Sequence, residues 1–294
     1  MSIGSLHGVL PVDKPVGVTS HDVVAAARRA LGERRIGHTG TLDPFASGLL
    51  LLCVGEATRL AEYLTGMDKT YEATARMGAV TDSGDPDGSV LATSEGWCDV
   101  SREALDAALA AFRGAIEQLP PSLSAKKVDG VPAHRRVRRG EEVTLHPQAV
   151  TVHELTVTCF APPDVRLRVR CSSGTYVRAL ARDLGQALGV GAHLTALRRT
   201  AVGSFAVGDA LGLRELEDRS RVEGVFLAPL DALRHLPRCS VGSGSATDLA
   251  HGRSVDVAEA EDAPVVAAVW KDRLVAVGSV ASGHFRPRKV LAHG

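Results

Sequence analysis

The sequence predicts a chain of mixed α and β structure: one large domain followed by a small β-rich module. Two observations carry this. Alternating or wholly apolar runs of strand length are interleaved with helical runs that begin at capping residues and end at glycines. Beyond Asp231 the pattern changes to Pro237, a Gly/Ser stretch from Gly242 to Ser245, and two short apolar strands, Val265–Val269 and Leu274–Val280. A basic tail of Arg286, Arg288 and Lys289 follows.

The elements read in order as follows. The stretch from Gly8 to Ser20 reads as a short strand and then a Pro/Gly turn. Ser20 is the expected N-cap of a helix through Val23 and Val24 to Leu31, stopped by Gly32. Residues 36–48 carry three glycines, Pro44 and small hydroxyl residues, which suit a rigid loop better than a helix or strand. That loop holds one carboxylate, Asp43, and one imidazole, His38, and it leads directly into the apolar run Leu49–Val54. An Asp-Pro pair by itself is more often a turn than a catalytic loop. Glu56 to Leu64 reads as a helix. Lys69 to Gly78 alternates as a strand with Tyr71, Ala73, Ala75 and Met77 on one face. Ser83 to Gly88, rich in Asp, is expected to be a solvated turn, because no Glu closes a calcium loop at the required spacing. Ser101 caps a helix from Arg102 to Phe112. Val165 to Cys171 alternates with its arginines outward, and Ser172 to Thr175 turns and caps a helix from Tyr176 to Leu188. Arg178 lies in the first turn of that helix, where a cation opposes the helix dipole, so an anion elsewhere should account for it.

Composition narrows the class without deciding it. Charges cancel at 34 basic and 34 acidic residues, and hydrophobic residues make up 45% of 294. A neutral chain binds RNA only if its bases are clustered. One such cluster exists between Pro120 and Gly140: Lys126, Lys127, Arg135, Arg136, Arg138 and Arg139 against a single interior acid, Asp129. Five cysteines with no close pair argue against disulfides or a zinc site and fit a reducing cytoplasm. Residues 1–10 lack a basic start and an apolar run, and no stretch reaches eighteen apolar residues, so neither export nor a membrane span is expected.

Four motifs then align with one family. His38-Thr39-Gly40-Thr41-Leu42-Asp43-Pro44 with Ala46-Ser47-Gly48, Lys14-Pro15-x-Gly17-x-Thr19-Ser20 before a helix, Gly174-Thr175-Tyr176-Val177-Arg178, and Leu197-Arg198-Arg199-Thr200 with Val202-Gly203 resemble the bacterial tRNA pseudouridine-55 synthases. The resemblance implies an α+β catalytic domain around a mixed, mainly antiparallel sheet over residues 1–235. It also implies a basic RNA-clamping insertion near 120–150 and a small PUA-like RNA-binding domain over 236–294. It implies a catalytic set of Asp43, Tyr71 and Arg178, with Arg178 lowering the Asp43 pKa. Leu197 is expected beside the target base, His38 in the space that a flipped base leaves, and Lys14 supporting the loop. Thr39, Gly40, Lys127, Arg135 and Arg138 are expected to contact RNA. Leu123 and His134 stand where the family commonly carries tyrosines. The implied reaction isomerises the T-loop uridine of tRNA without a guide; nothing is oxidised and no group leaves, so no cofactor or metal is expected. A monomer with no obligatory protein partner is implied, against the alternatives of a guide-RNA-dependent relative or a non-catalytic tRNA-binding protein.

Overall fold

The computed structural model describes residues 6–121, 127–128, 131–132, 136, 139, 141 and 144–291. The first strands are β1 (Gly8–Lys14), β2 (Ile36–His38), β3 (Ser47–Val54), β4 (Lys69–Met77), β5 (Ala79–Thr81), β6 (Val90–Thr93) and β7 (Gly114–Gln118). They continue with β8 (Lys127–Val128), β9 (Val131–Pro132), β10 (Gln148–Ala161), β11 (Asp164–Cys171), β12 (Ala192–Val202), β13 (Phe205–Ala206) and β14 (Leu211–Gly212). Ten of these strands form one sheet in the order β14-β1-β3-β12-β4-β11-β10-β7, with β2 paired to β3 and β13 to β12. The β1/β14 and β3/β12 pairs are parallel and the other pairs antiparallel, which gives the expected mixed, mainly antiparallel sheet.

Strand β4 starts at Lys69 as expected and ends one residue early, at Met77, and Tyr71, Ala73, Ala75 and Met77 are all buried on one face. That face packs under helices α3 (Arg102–Ala110) and, further along the chain, α4 (Val177–Ala187), through Leu105, Leu109, Leu180 and Leu184. Leu49 to Val54 is buried on both sides of β3, because α1 (Ser20–Leu31) covers one side and the C-terminal module the other. That module is a second sheet of five strands, β15 (Arg238–Ser240), β16 (Val255–Asp256), β17 (Ala263–Trp270), β18 (Arg273–Ala281) and β19 (His284–Val290). Ala267, Leu274 and Val277 share a core with Val9, Leu49 and Leu51, so the two sheets are joined by apolar packing.

Several sequence expectations need correction. Residues 36–38 form the short strand β2 instead of loop, since the long apolar strand β3 supplies a hydrogen-bonding edge that three residues suffice to occupy. Thr19 caps α1 in place of Ser20: its hydroxyl accepts from Asp22 N–H and the Asp22 carboxylate accepts from Thr19 N–H, a reciprocal box. The helix expected over Glu56–Leu64 is a 3₁₀ stretch, Gly55–Leu60, followed by a short α-helix, α2 (Ala61–Thr65). The helix after Ser101 ends at Ala110, and Tyr176, not Thr175, stands at the N-cap of α4. The basic residues 286, 288 and 289 are no tail, because they lie in β19 paired to β18.

Candidate active site

The Asp43 loop is held at nearly every residue. Leu42, Phe45 and Ala46 are buried in the core under β4 and α4. Burial of a Leu or Phe side chain is worth about 1.5–3 kcal/mol, so these act as pegs on either side of the carboxylate. The Ser20 hydroxyl accepts from Leu42 N–H at 2.9 Å and donates to Leu42 O at 3.1 Å. Thus the residue expected as a helix cap instead clamps the loop. Thr39 N–H donates to Leu51 O, Gly17 N–H to Pro44 O, and Ala46 N–H to Asp43 O, which closes a turn with Pro44 at its second position. Gly40 has φ +141°, a conformation that side chains rarely adopt. Gly48 lies where β3 meets β12; a Cβ there would stand 2.2 Å from Arg199 O.

Arg178 reaches this loop from α4. Gln118, on β7, fixes the start of that helix by accepting from Tyr176 N–H at 2.7 Å and donating to Tyr176 O at 3.0 Å. The Arg178 side chain is 5% exposed and faces Asp43 with two nitrogens, Nε to Oδ2 at 3.0 Å and Nη2 to Oδ1 at 3.4 Å. Its Nη1 donates to Ser83 O at 2.8 Å and to Asp85 Oδ2 at 3.1 Å. This corrects the reading of Ser83–Gly88 as a solvated turn. Asp85 is buried, and its other oxygen accepts from the Ser83 hydroxyl and Asp87 N–H. The available signal was Arg178 itself. A cation in a first helical turn asks for counter-charge, and two carboxylates supply it in place of the single expected Asp43.

Two carboxylates sharing one guanidinium change the expected electrostatics. The Asp43 side chain is 34% exposed yet deeply surrounded, and burial pushes its carboxyl up from the usual range. Arg178 pulls it down, Asp85 pushes it up and Lys14 pulls it down, with a net upward displacement. Arg178 thus acts in the expected downward direction, and burial outweighs it. Lys14 is fully buried and donates to Pro15 O at 2.9 Å, Val18 O at 2.7 Å and Pro44 O at 3.5 Å, which ties the motif around it to the Asp43 turn. Burial lowers its pKa to about 8. His38 stands at the loop start with Nδ1 accepting from Gly40 N–H at 3.4 Å and its ring edge-on to His21. Burial, with His21 and Arg199, lowers it to about 4, so the ring is neutral at pH 7.

A cleft of about 940 Å³ opens beside the loop, walled by Pro44, Phe45, Ala73 and Leu197 and flanked by Arg166 and Arg168 of β11. Tyr71 lies two residues from Ala73 on the same buried face, close enough to feel the Asp43 charge. Asp43, Tyr71, Arg178, Lys14, His38, Thr39, Gly40 and Leu197 are thus gathered on one side of the sheet by β1, β2, β4, α4 and β12. Of the expected RNA-binding arm, Arg135 and Arg138, like Leu123 and His134, lie outside the described residues. Lys127 is placed by its backbone alone, pairing with Pro132 in the β8/β9 ribbon.

Known proteins bear on this arrangement. Residues 28–177 match the N-terminal domain of the TruB family pseudouridylate synthases, and residues 178–235 match the C-terminal domain of tRNA pseudouridylate synthase B. The tRNA pseudouridine synthase B of Azoarcus sp. (strain BH72) is 44% identical over 97% of this chain and 95% of its own length. Its counterpart in Burkholderia mallei (strain NCTC 10247) is 43% identical over the whole of both chains. Among solved structures, a Cbf5-Nop10-Gar1 complex contains a chain with a TM-score of 0.75 and 26% identity, covering 98% of this chain and 84% of that one. With the family match spanning 28–235 and full-length identity above 40%, this chain belongs to the TruB family of pseudouridylate synthases.

Proposed function

We propose that this pseudouridylate synthase converts the T-loop uridine of tRNA, position 55, to pseudouridine, acting alone in the cytoplasm as a monomer without a guide RNA. The observation that carries the reading is the Asp43 carboxylate, held on two nitrogens of buried Arg178 beside a cleft with Leu197 in its wall. The names of the relatives supply tRNA as the substrate class. In the reaction the N-glycosidic bond breaks, the base turns, and a C–C bond forms. Asp43 serves the sugar, as nucleophile at C1′ or as base toward C2′. Arg178 opposes the effect of burial and keeps the carboxylate available at neutral pH. Tyr71 stacks on the uracil and moves the C5 proton. A base inside the T-loop must be flipped out at a cost of a few kcal/mol. Neutral His38, at the start of the loop, fills the gap with a flat uncharged ring. Lys14 braces the loop, and Leu197 packs against the base.

Residues 1–235 form the catalytic domain in this reading, and 236–294 a PUA-like module that binds RNA. Lys127, Arg135 and Arg138 belong to a basic arm whose phosphate contacts let a chain of zero net charge hold its own substrate. Tritium release from tRNA labelled at uridine C5, with the purified chain alone, tests the proposal. Stoichiometric release from one T-loop uridine is expected. Release only after a guide RNA and partner proteins are added, or none at all, would overturn it.

A further inference from the structure

Tyr71 and the Asp43 loop share a second buried arginine. Arg199 is 2% exposed and lies directly across the β12/β4 pairing from Tyr71, on the face that carries Leu197. Its Nε donates to Leu49 O at 2.7 Å and its Nη2 to Gly40 O at 3.1 Å. Tyr71, its cross-strand neighbour on that buried face, is close enough for the guanidinium to act on the phenol. These partners are neutral oxygens, and the Asp43 carboxylate acts on Tyr71 and Lys14 without forming an ion pair with Arg199. Lys14 and Lys69 are buried nearby and bonded to backbone carbonyls as well. A buried guanidinium with no ion pair among the described residues is costly, and apolar residues would pack the same volume more favourably. Its place is explained if it joins parts that must keep a fixed spacing.

Hydrogen-bond chemistry sharpens the point. Arginine only donates, so a guanidinium set against a phenol takes its oxygen as acceptor and leaves the phenolic proton to point elsewhere. We propose that Arg199 is a positioning residue that fixes the Gly40 carbonyl and the Tyr71 hydroxyl to one guanidinium, so that the carboxylate loop and the stacking ring hold their spacing while uracil detaches and turns. This rests on the role proposed above for Tyr71.

Arg199→Met and Arg199→Lys test it against Tyr71→Phe. Arg199→Met is expected to bind a T-arm stem-loop within about three-fold of the parent and to lose about 100-fold in single-turnover rate at saturating RNA. Arg199→Lys should recover part of that rate, because an ammonium keeps the charge and reaches some of the same oxygens. In protein labelled with 3-fluorotyrosine, the ¹⁹F resonance missing from Tyr71→Phe identifies residue 71. It is expected to shift in both Arg199 variants, while those of Tyr63 and Tyr176 stay in place. An unchanged rate and resonance would overturn the inference. So would a fall of affinity, rate and melting temperature together in Arg199→Lys, which would make Arg199 a packing residue. If Arg199→Met does not fold, the same readings on Arg199→Lys decide. Near-parental turnover by Tyr71→Phe would refute the role of Tyr71 itself. An inactive Tyr71→Phe beside a fully active Arg199→Met would refute the present inference alone.

Discussion

Arg178 and Arg199 are the two buried arginines among the described residues, and they are held in opposite ways. Arg178 lies between two carboxylates from distant parts of the chain. Arg199 lies among carbonyls and a phenol, with lysines for neighbours. The first arrangement tunes charge; the second fixes distance. At Asp43 burial outweighs Arg178, and the neighbouring Asp85 adds to the upward push. Arg199 has no carboxylate to tune, so its loss should be felt in geometry and rate more than in how Asp43 titrates.

The largest effect should come from Arg178→Gln. Asp43 and Asp85 would then face each other without a counter-charge, and breaking a buried pair in this way costs roughly 3–5 kcal/mol. Turnover is expected to fall by more than about 10³-fold. The sign with pH follows from linkage. A carboxyl raised in the folded state contributes stability that is present in acid and is lost as pH rises through its folded pKa. The variant should therefore melt closer to the parent at pH 5 than at pH 8; a constant gap across that range would remove Asp43 and Asp85 as the cause. A smaller effect is expected from Asp85→Asn, which removes an anion that pushes Asp43 up while freeing one side of Arg178. The acid limb of its single-turnover rate should move to lower pH, with about ten-fold loss at neutral pH. A limb displaced upward would contradict the charge-sharing account.

The parts legible in the sequence are those with a local signature. Strand β4 shows its two-residue period, α1 ends at Gly32 as expected, and two motifs far apart in the chain implied the Asp43–Arg178 pair. What escaped depends on distant partners. Asp-Pro-Asp-Gly has the composition of any solvated turn, and only Arg178, 93 residues further on, buries Asp85. Ser20 looked like a cap because serine before a helix usually is one; its hydroxyl is occupied by Leu42. The upward displacement of Asp43 could not be read either, since it comes from burial and spacing. Arg199 sat within a recognised motif, yet its geometry emerges only when β12 is laid between β3 and β4.

Asp43→Asn tests the central claim most directly. The amide keeps the shape of the carboxylate and removes its charge and nucleophilicity, and because ionising a buried carboxyl disfavours folding, the variant should remain folded at pH 7. Single-turnover pseudouridine formation at saturating tRNA is the measurement, read beside the dissociation constant of the same RNA. The expected result is affinity within a few-fold of the parent with no detectable product. Substantial product from the folded variant would place the chemistry on another residue.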